Sequence, residues 1–253
     1  MTNKTNLTLV YQMGRVGSKS HEKTLKDNNL ENVLHIHSLN QTRIINLNNN
    51  FTKLSIENYD PLHKLGINLG NKLLLEPHKF NVKTVCPIRD VISRNFSSFM
   101  YVNHFWQSKV RNNLKTTKEL SEFFEMNFYH QDILNWCDSE LFSILQQDVY
   151  NAAFKDDFIV IENSYGWKTL VYKFNIENKR KSELLSEFFE RDINFQVNTN
   201  ENKKENLWNN MSYKEIKEHT HLSERFIDKL HSSKYMNHFW TKKELDKIKN
   251  KWL

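Results

Sequence analysis

Three groups of residues in this sequence have types and spacings that can do chemistry. The first is a turn with two glycines and two hydroxyls, Gly14-Arg15-Val16-Gly17-Ser18-Lys19-Ser20. Glycine lacks the Cβ that keeps an anion away from backbone amides. A helix opening at Ser18 would add unpaired N–H groups and the positive end of its dipole. Ser18 and Ser20 can donate hydroxyl hydrogen bonds. Arg15 can add a charge-assisted one, contributing about 1.5–3 kcal/mol against about 1 for a neutral bond. The second group is Arg89 with Ser97 eight residues on, a pair able to hold a second phosphate. The third is His35 with His37, two apart and so on one face of a strand. Their imidazoles can take a proton near neutrality.

Elements are needed to bring these groups together. Leu7 to Gln12 is a short, nearly continuous apolar run, as expected of a buried parallel strand. A polar helix from Ser18 to Lys26 follows the glycine turn, giving the strand–turn–helix order of a phosphate-binding α/β unit. Asn32 to His37 reads as a second strand. Lys83 to Ile88 reads as a third, with Pro87 placed where only a strand end tolerates it. Asp90 can cap the next helix, which carries Ile92, Phe96 and Phe99 on one face. Ligands of open α/β sheets sit at the carboxyl ends of the strands, so Arg89 and the glycine turn are expected at one crevice. Helical spacing is also expected near Pro61 to Leu69 and from Thr117 to Gln147. Phe158 to Ile161 reads as a fourth strand, and Trp167 to Phe174 as a fifth at a sheet edge. A short helix over Ser182 to Arg191 and two or three helices from Tyr213 to Trp252 complete the reading.

The expected fold is α/β, a P-loop-like three-layer arrangement around a mainly parallel sheet of four or five strands with added helices. With only 3 Pro and 5 Gly among 253 residues, a flexible interdomain linker has little material. A single domain over 1–253 with a helical C-terminal region is therefore expected. At 38% hydrophobic residues the chain can fill a core. The formal charge of +6 suits an anionic partner, but the Lys and Arg residues are scattered, which argues against a nucleic-acid tail. Cys86 and Cys137 have apolar neighbours and read as reduced, partly buried thiols. The start of the chain lacks the apolar core of a signal peptide, and no run is long enough to span a bilayer. A cytoplasmic protein without a membrane span is expected.

Here a resemblance enters. Gly14-Arg15-Val16-Gly17-Ser18 resembles the 5′-phosphosulfate loop of sulfotransferases that use 3′-phosphoadenosine 5′-phosphosulfate (PAPS). Arg89 to Ser97 resembles their 3′-phosphate element, with its Arg and Ser in step. The chain is more closely similar to a bacterial sulfotransferase-like family named for capsular polysaccharide synthesis. The matching stretches are Tyr11 to Ser18, His35 to Leu39, Ile88 to Phe99, Asn135-Trp136 with Glu140-Leu141, and Ser233-Lys234-Tyr235 with His238-Phe239-Trp240, Glu244-Leu245 and Trp252. The resemblance implies sulfuryl transfer from PAPS to a carbohydrate hydroxyl, with adenosine 3′,5′-bisphosphate released and no metal required. It implies Gly14, Arg15, Val16, Gly17, Ser18, Lys19, Ser20, Arg89 and Ser97 as donor contacts. Arg15 would stabilise the bridging oxygen and His37, then His35, would act as base; a similarly placed His-x-His occurs in sulfotransferases acting on uronic acid-containing glycans. The chain departs from the family at Arg15, where many members have Lys. It keeps only loosely a Lys-Trp-Tyr-like motif, as Asn202 to Trp208, so Lys203 and Lys204 read either as phosphate contacts or as solvated lysines.

Other readings stay open. Two histidines alone would read as packing at a sheet edge, and Glu140 or Asp138 is a second choice of base, each otherwise an exposed helix carboxylate. Arg94 and Lys19 can help to neutralise phosphates or be solvated helix residues. His104-Phe105-Trp106 can line an acceptor cleft or belong to the core. A P-loop kinase is the first alternative function. Lys19-Ser20 favour it, but Ser18 stands where its pattern needs glycine, and Glu162 is the one strand-ending acid for magnesium. A non-catalytic glycan- or phosphate-binding module is the second.

Overall fold

The computed structural model describes residues 4–52, 61–106, 113–197 and 207–253; side chains at 48–52, 61–63 and 102–106 are outside the description. Five strands form one sheet: β1 (Thr5–Tyr11), β2 (Val33–Ile36), β3 (Phe80–Ile88), β4 (Phe158–Glu162) and β5 (Lys168–Lys173), in the order β2-β1-β3-β5-β4. The first three and β5 run parallel, and β4 pairs antiparallel with β5. The fold is therefore a mainly parallel α/β sheet flanked by helices.

The burial of each strand follows from its place. β1 and β5, flanked on both sides, are buried along most of their length, while β4 alternates as an outer strand does. The fifth strand is thus interior, and the fourth forms the edge: the apolar run of β5 marks burial between two neighbours. Pro87 causes no loss of pairing to β1, whose register with β3 ends at Val85. The chain leaves β1 for β2 on one side and returns for β3 on the other. That reversal opens a crevice at the carboxyl ends of β1 and β3.

The chain divides into two compact units, Met1–Arg89 with Asn135–Asn198, and Asp90–Leu134 with Thr199–Leu253. The first holds the sheet. On one face of the sheet, Val10, Val85, Leu170 and Tyr172 pack with Leu25 of helix α1 (Ser18–Asp27) and with Leu184, Leu185, Phe188 and Phe189 of the helix Asn178–Phe189. Each such side chain contributes about 1.5–3 kcal/mol by burial. The helix expected near Pro61 to Leu69 is α3 (Pro61–Leu75), and the Asn-rich stretch before it holds a further helix, α2 (Gln41–Thr52).

The second unit is helical. Asp90 accepts a 2.7 Å hydrogen bond from the Ser93 amide at the start of helix α4 (Val91–Trp106), as its cap position predicts. Phe96 of α4 meets Phe124 and Trp252 edge-on, with centroids 5.3 and 5.2 Å away. The Thr117–Gln147 stretch is broken: helices Thr117–Asn127 and Gln131–Leu134 belong to this unit, while a π-helical turn Cys137–Phe142 and a last turn Ser143–Leu145 belong to the first. Four helices, and not two or three, fill Tyr213 to Trp252. Each begins at a capping hydroxyl: Ser212, Ser223, Ser233 and Thr241.

Candidate functional site

The glycine turn lies where the sequence places it, between β1 and α1. Gly14, Arg15 and Gly17 all take positive φ, at 79°, 61° and 69°. Glycine is at home there and Arg15 is not, so the backbone of the turn is bent against an arginine's preference. Gly17 is fixed for a second reason: a Cβ on it would lie 2.7 Å from the Phe174 ring. Val16 and Ser18 are buried, while Arg15 and Lys19 are exposed. Gly17 caps α1, and no side chain caps that helix end.

Gln12, buried at the end of β1, ties this turn to the histidines. Its Oε1 accepts from the Gly14 amide. Its Nε2 lies 3.1 Å from His35 Nε2 and 2.7 Å from His37 Nδ1. With the amide oxygen taken by an N–H, the amide nitrogen donates, and both ring nitrogens facing it accept. His35 then carries its proton on Nδ1, 3.4 Å from the Glu22 carboxylate. The two imidazoles meet edge to face at 4.6 Å. His37 Nδ1 also lies 3.3 Å from the Gln12 carbonyl, which accepts only when that nitrogen is protonated.

Behind His37 stands Glu140, fully buried and not the exposed carboxylate that the sequence suggested. Its oxygens accept from Tyr11 and Ser38 hydroxyls, from the Leu39 and Asn40 amides at 3.0 and 3.1 Å, and from Arg43 at 3.0 Å. Burial, reinforced by this carboxylate, holds the Tyr11 phenol far above its ordinary range, so it remains a donor. Arg43 and the Trp136 indole each donate to the His37 carbonyl at 3.4 Å. Glu140 is thus engaged in holding the chain after β2, which leaves it poorly placed to act as a base.

Arg89 ends the first unit at the carboxyl end of β3. Its guanidinium donates to the Arg15 carbonyl at 3.1 Å and lies 5.7 Å from the centroid of Phe174. The strand-end arginine and the glycine turn are therefore adjacent. Ser97 belongs to the second unit, where it is buried on α4, and Arg94 there donates to Asn95 at 3.0 Å. Lys203 and Lys204 lie outside the described residues, as do the side chains of His104, Phe105 and Trp106. Phe239 and Trp240 are core residues. No protein-family model matches the chain, and no curated protein or solved structure matches it significantly. Among the described residues no helix is long and apolar enough to cross a membrane.

Two buried polar residues of the first unit were not singled out in the sequence. Gln12 had a signal, since it is the polar end of an apolar strand. Lys181 had a clearer one. It shares the helical stripe of Leu184, Leu185, Phe188 and Phe189 at the i+3, i+4, i+7 and i+8 spacing that marks a buried face.

Proposed function

We propose that this protein transfers a sulfuryl group from PAPS to a hydroxyl of an acceptor, a carbohydrate of a capsular or other surface polysaccharide on the strength of the family it resembles. The observation that carries the reading is the Gln12 bridge, which links an anion-fitted turn to a histidine pair through hydrogen bonds. The acceptor oxygen attacks sulfur in line, and the bond from sulfur to the bridging oxygen of the 5′-phosphate breaks. Adenosine 3′,5′-bisphosphate departs with the electron pair. The hydroxyl proton passes to Nε2 of His37 once Nδ1 holds a proton toward the Gln12 carbonyl. The turn's amides and Arg15 face the charge that builds on the bridging oxygen. Arg89 contacts the 3′-phosphate while bracing the turn.

The kinase alternative loses its acid. Glu162 ends an antiparallel strand and pairs in register with Lys168, which begins β5. The crevice lies at the other end of β5, near Lys173, about 17 Å along the strand. A binding module without activity is separated by assaying sulfated product.

Adenosine 3′,5′-bisphosphate should raise the melting temperature without magnesium, by about 2.7 kcal/mol of stability at 100 times its Kd. Arg89→Ala should weaken the bisphosphate at least tenfold and adenosine 5′-phosphate less. Equal losses for both ligands would assign Arg89 to bracing alone. Binding of ATP with magnesium, and no binding of the bisphosphate, would overturn the sulfotransferase reading.

A further inference from the structure

Lys181 opens the helix that follows β5, and it is 6% exposed. Burial holds its ammonium below the usual lysine range. Its partners are neutral: Asn178 Oδ1 at 3.3 Å, the Phe174 ring at 5.0 Å and the Phe195 ring at 5.1 Å. Among the described residues no carboxylate pairs with it.

The Phe174 ring that Lys181 contacts also borders the glycine turn. Phe174 carries Arg89 at 5.7 Å from its centroid and would meet a Cβ on Gly17. His21 donates to the Gly17 carbonyl at 2.8 Å, accepts from Tyr172 and packs on Phe195 at 4.9 Å. Lys181 is close enough to help hold that imidazole neutral. Gly17 is the N-cap of α1, so the positive end of that helix borders the same Phe174 ring. A buried ammonium whose contacts are all neutral is electrostatically uphill without a negative partner.

We propose that Lys181 is a third cationic contact of the Gly14–Ser18 site, and that a bound oxyanion of the phosphate or sulfate class is its missing counter-charge. The proposal rests on reading that turn as an anion site, and it does not depend on sulfuryl transfer. A lysine serving packing alone would need no ligand.

The test combines calorimetric titration of adenosine 3′,5′-bisphosphate and of inorganic sulfate with NMR of the lysine side chains in the full chain. The Lys181 resonance should shift on addition of either anion. Lys181→Met should weaken the bisphosphate at least tenfold while the free protein melts no lower than wild type, since an uncompensated charge is removed. Lys181→Arg should retain most of the affinity. Wild-type binding of the bisphosphate with equal binding by Lys181→Met would overturn the proposal and leave the sulfotransferase reading standing. Sulfate binding with a Lys181 shift, but no bisphosphate binding, would do the reverse. Should Lys181→Met not fold, the wild-type resonance and Lys181→Arg still decide. An unshifted resonance at saturating ligand overturns the proposal.

Discussion

Which nitrogen of His37 carries the proton decides what that residue can do. The Gln12 amide presents a donor to Nδ1 at 2.7 Å, and the Gln12 carbonyl presents an acceptor to the same atom at 3.3 Å. The first arrangement leaves the proton on Nε2, and the second frees the Nε2 lone pair for a hydroxyl. His35 differs, because Glu22 and Gln12 engage its two nitrogens. Under the proposed function His37 is assigned as the base and His35 as its support. His37→Ala should lower kcat about 10²–10⁴-fold with bisphosphate affinity changed less than about twofold, and His35→Ala should cost less. Transfer assays with both variants check this, and undiminished turnover by His37→Ala would remove it from the chemistry. The histidine pair was legible because its spacing alone sets a shared face. The tautomer was not, because it depends on a glutamine 23 and 25 residues away in sequence.

The elements hold this pair by close approach. On α3, a Cβ at Gly66 or Gly70 would strike the backbone carbonyl of Ser38 or Leu39, directly after His37. Alanine would gain about 1 kcal/mol of helix propensity. Overlap with a backbone atom that cannot rotate away costs about 1–3 kcal/mol and displaces the Ser38 turn. Gly66→Ala and Gly70→Ala should each destabilise by up to about 2 kcal/mol and reduce transfer. Exposed Asn68→Ala on the same helix should not. Urea midpoints for the three variants check this, and a stabilised Gly66→Ala would show that the helix moves freely. Strands β1, β2 and β3 were legible from apolar runs. The glycines of α3 gave no such signal, since their role comes from contact with a distant backbone. Glu140 was misread for the same kind of reason: its helix position says exposed, and five donors from other segments bury it.

At the scale of the whole molecule, each compact unit has its own core and its own buried neutral histidine. In the first, His21 donates to the Gly17 carbonyl and accepts from the Tyr172 hydroxyl, and burial lowers its pKa to about 4. In the second, His130 donates to the Phe124 carbonyl at 3.0 Å and accepts from Asn95 at 3.3 Å, and burial again lowers its pKa to about 4. Burial lowers the pKa of His231 in the second unit as well. Unfolded histidines titrate near 6.5, so between pH 6.5 and 4 the unfolded chain binds protons that the folded chain refuses. Stability must then rise with pH through this window and flatten below it, by on the order of 3 kcal/mol for each of His21 and His130. Glu119 and Glu215, whose pKa values hydrogen bonds lower from 4.5, lose their contribution only below that value. The fall between pH 6.5 and 4.5 therefore belongs to the histidines. It should reach both units, so two separate unfolding transitions, if resolved, should both move. Urea midpoints followed by circular dichroism from pH 7.5 to 4 measure it. His21→Phe should lower stability at pH 7, leaving the Gly17 carbonyl and Tyr172 hydroxyl without their partner, yet reduce the slope with pH. A midpoint independent of pH across the window would show that these imidazoles are already solvated in the folded protein.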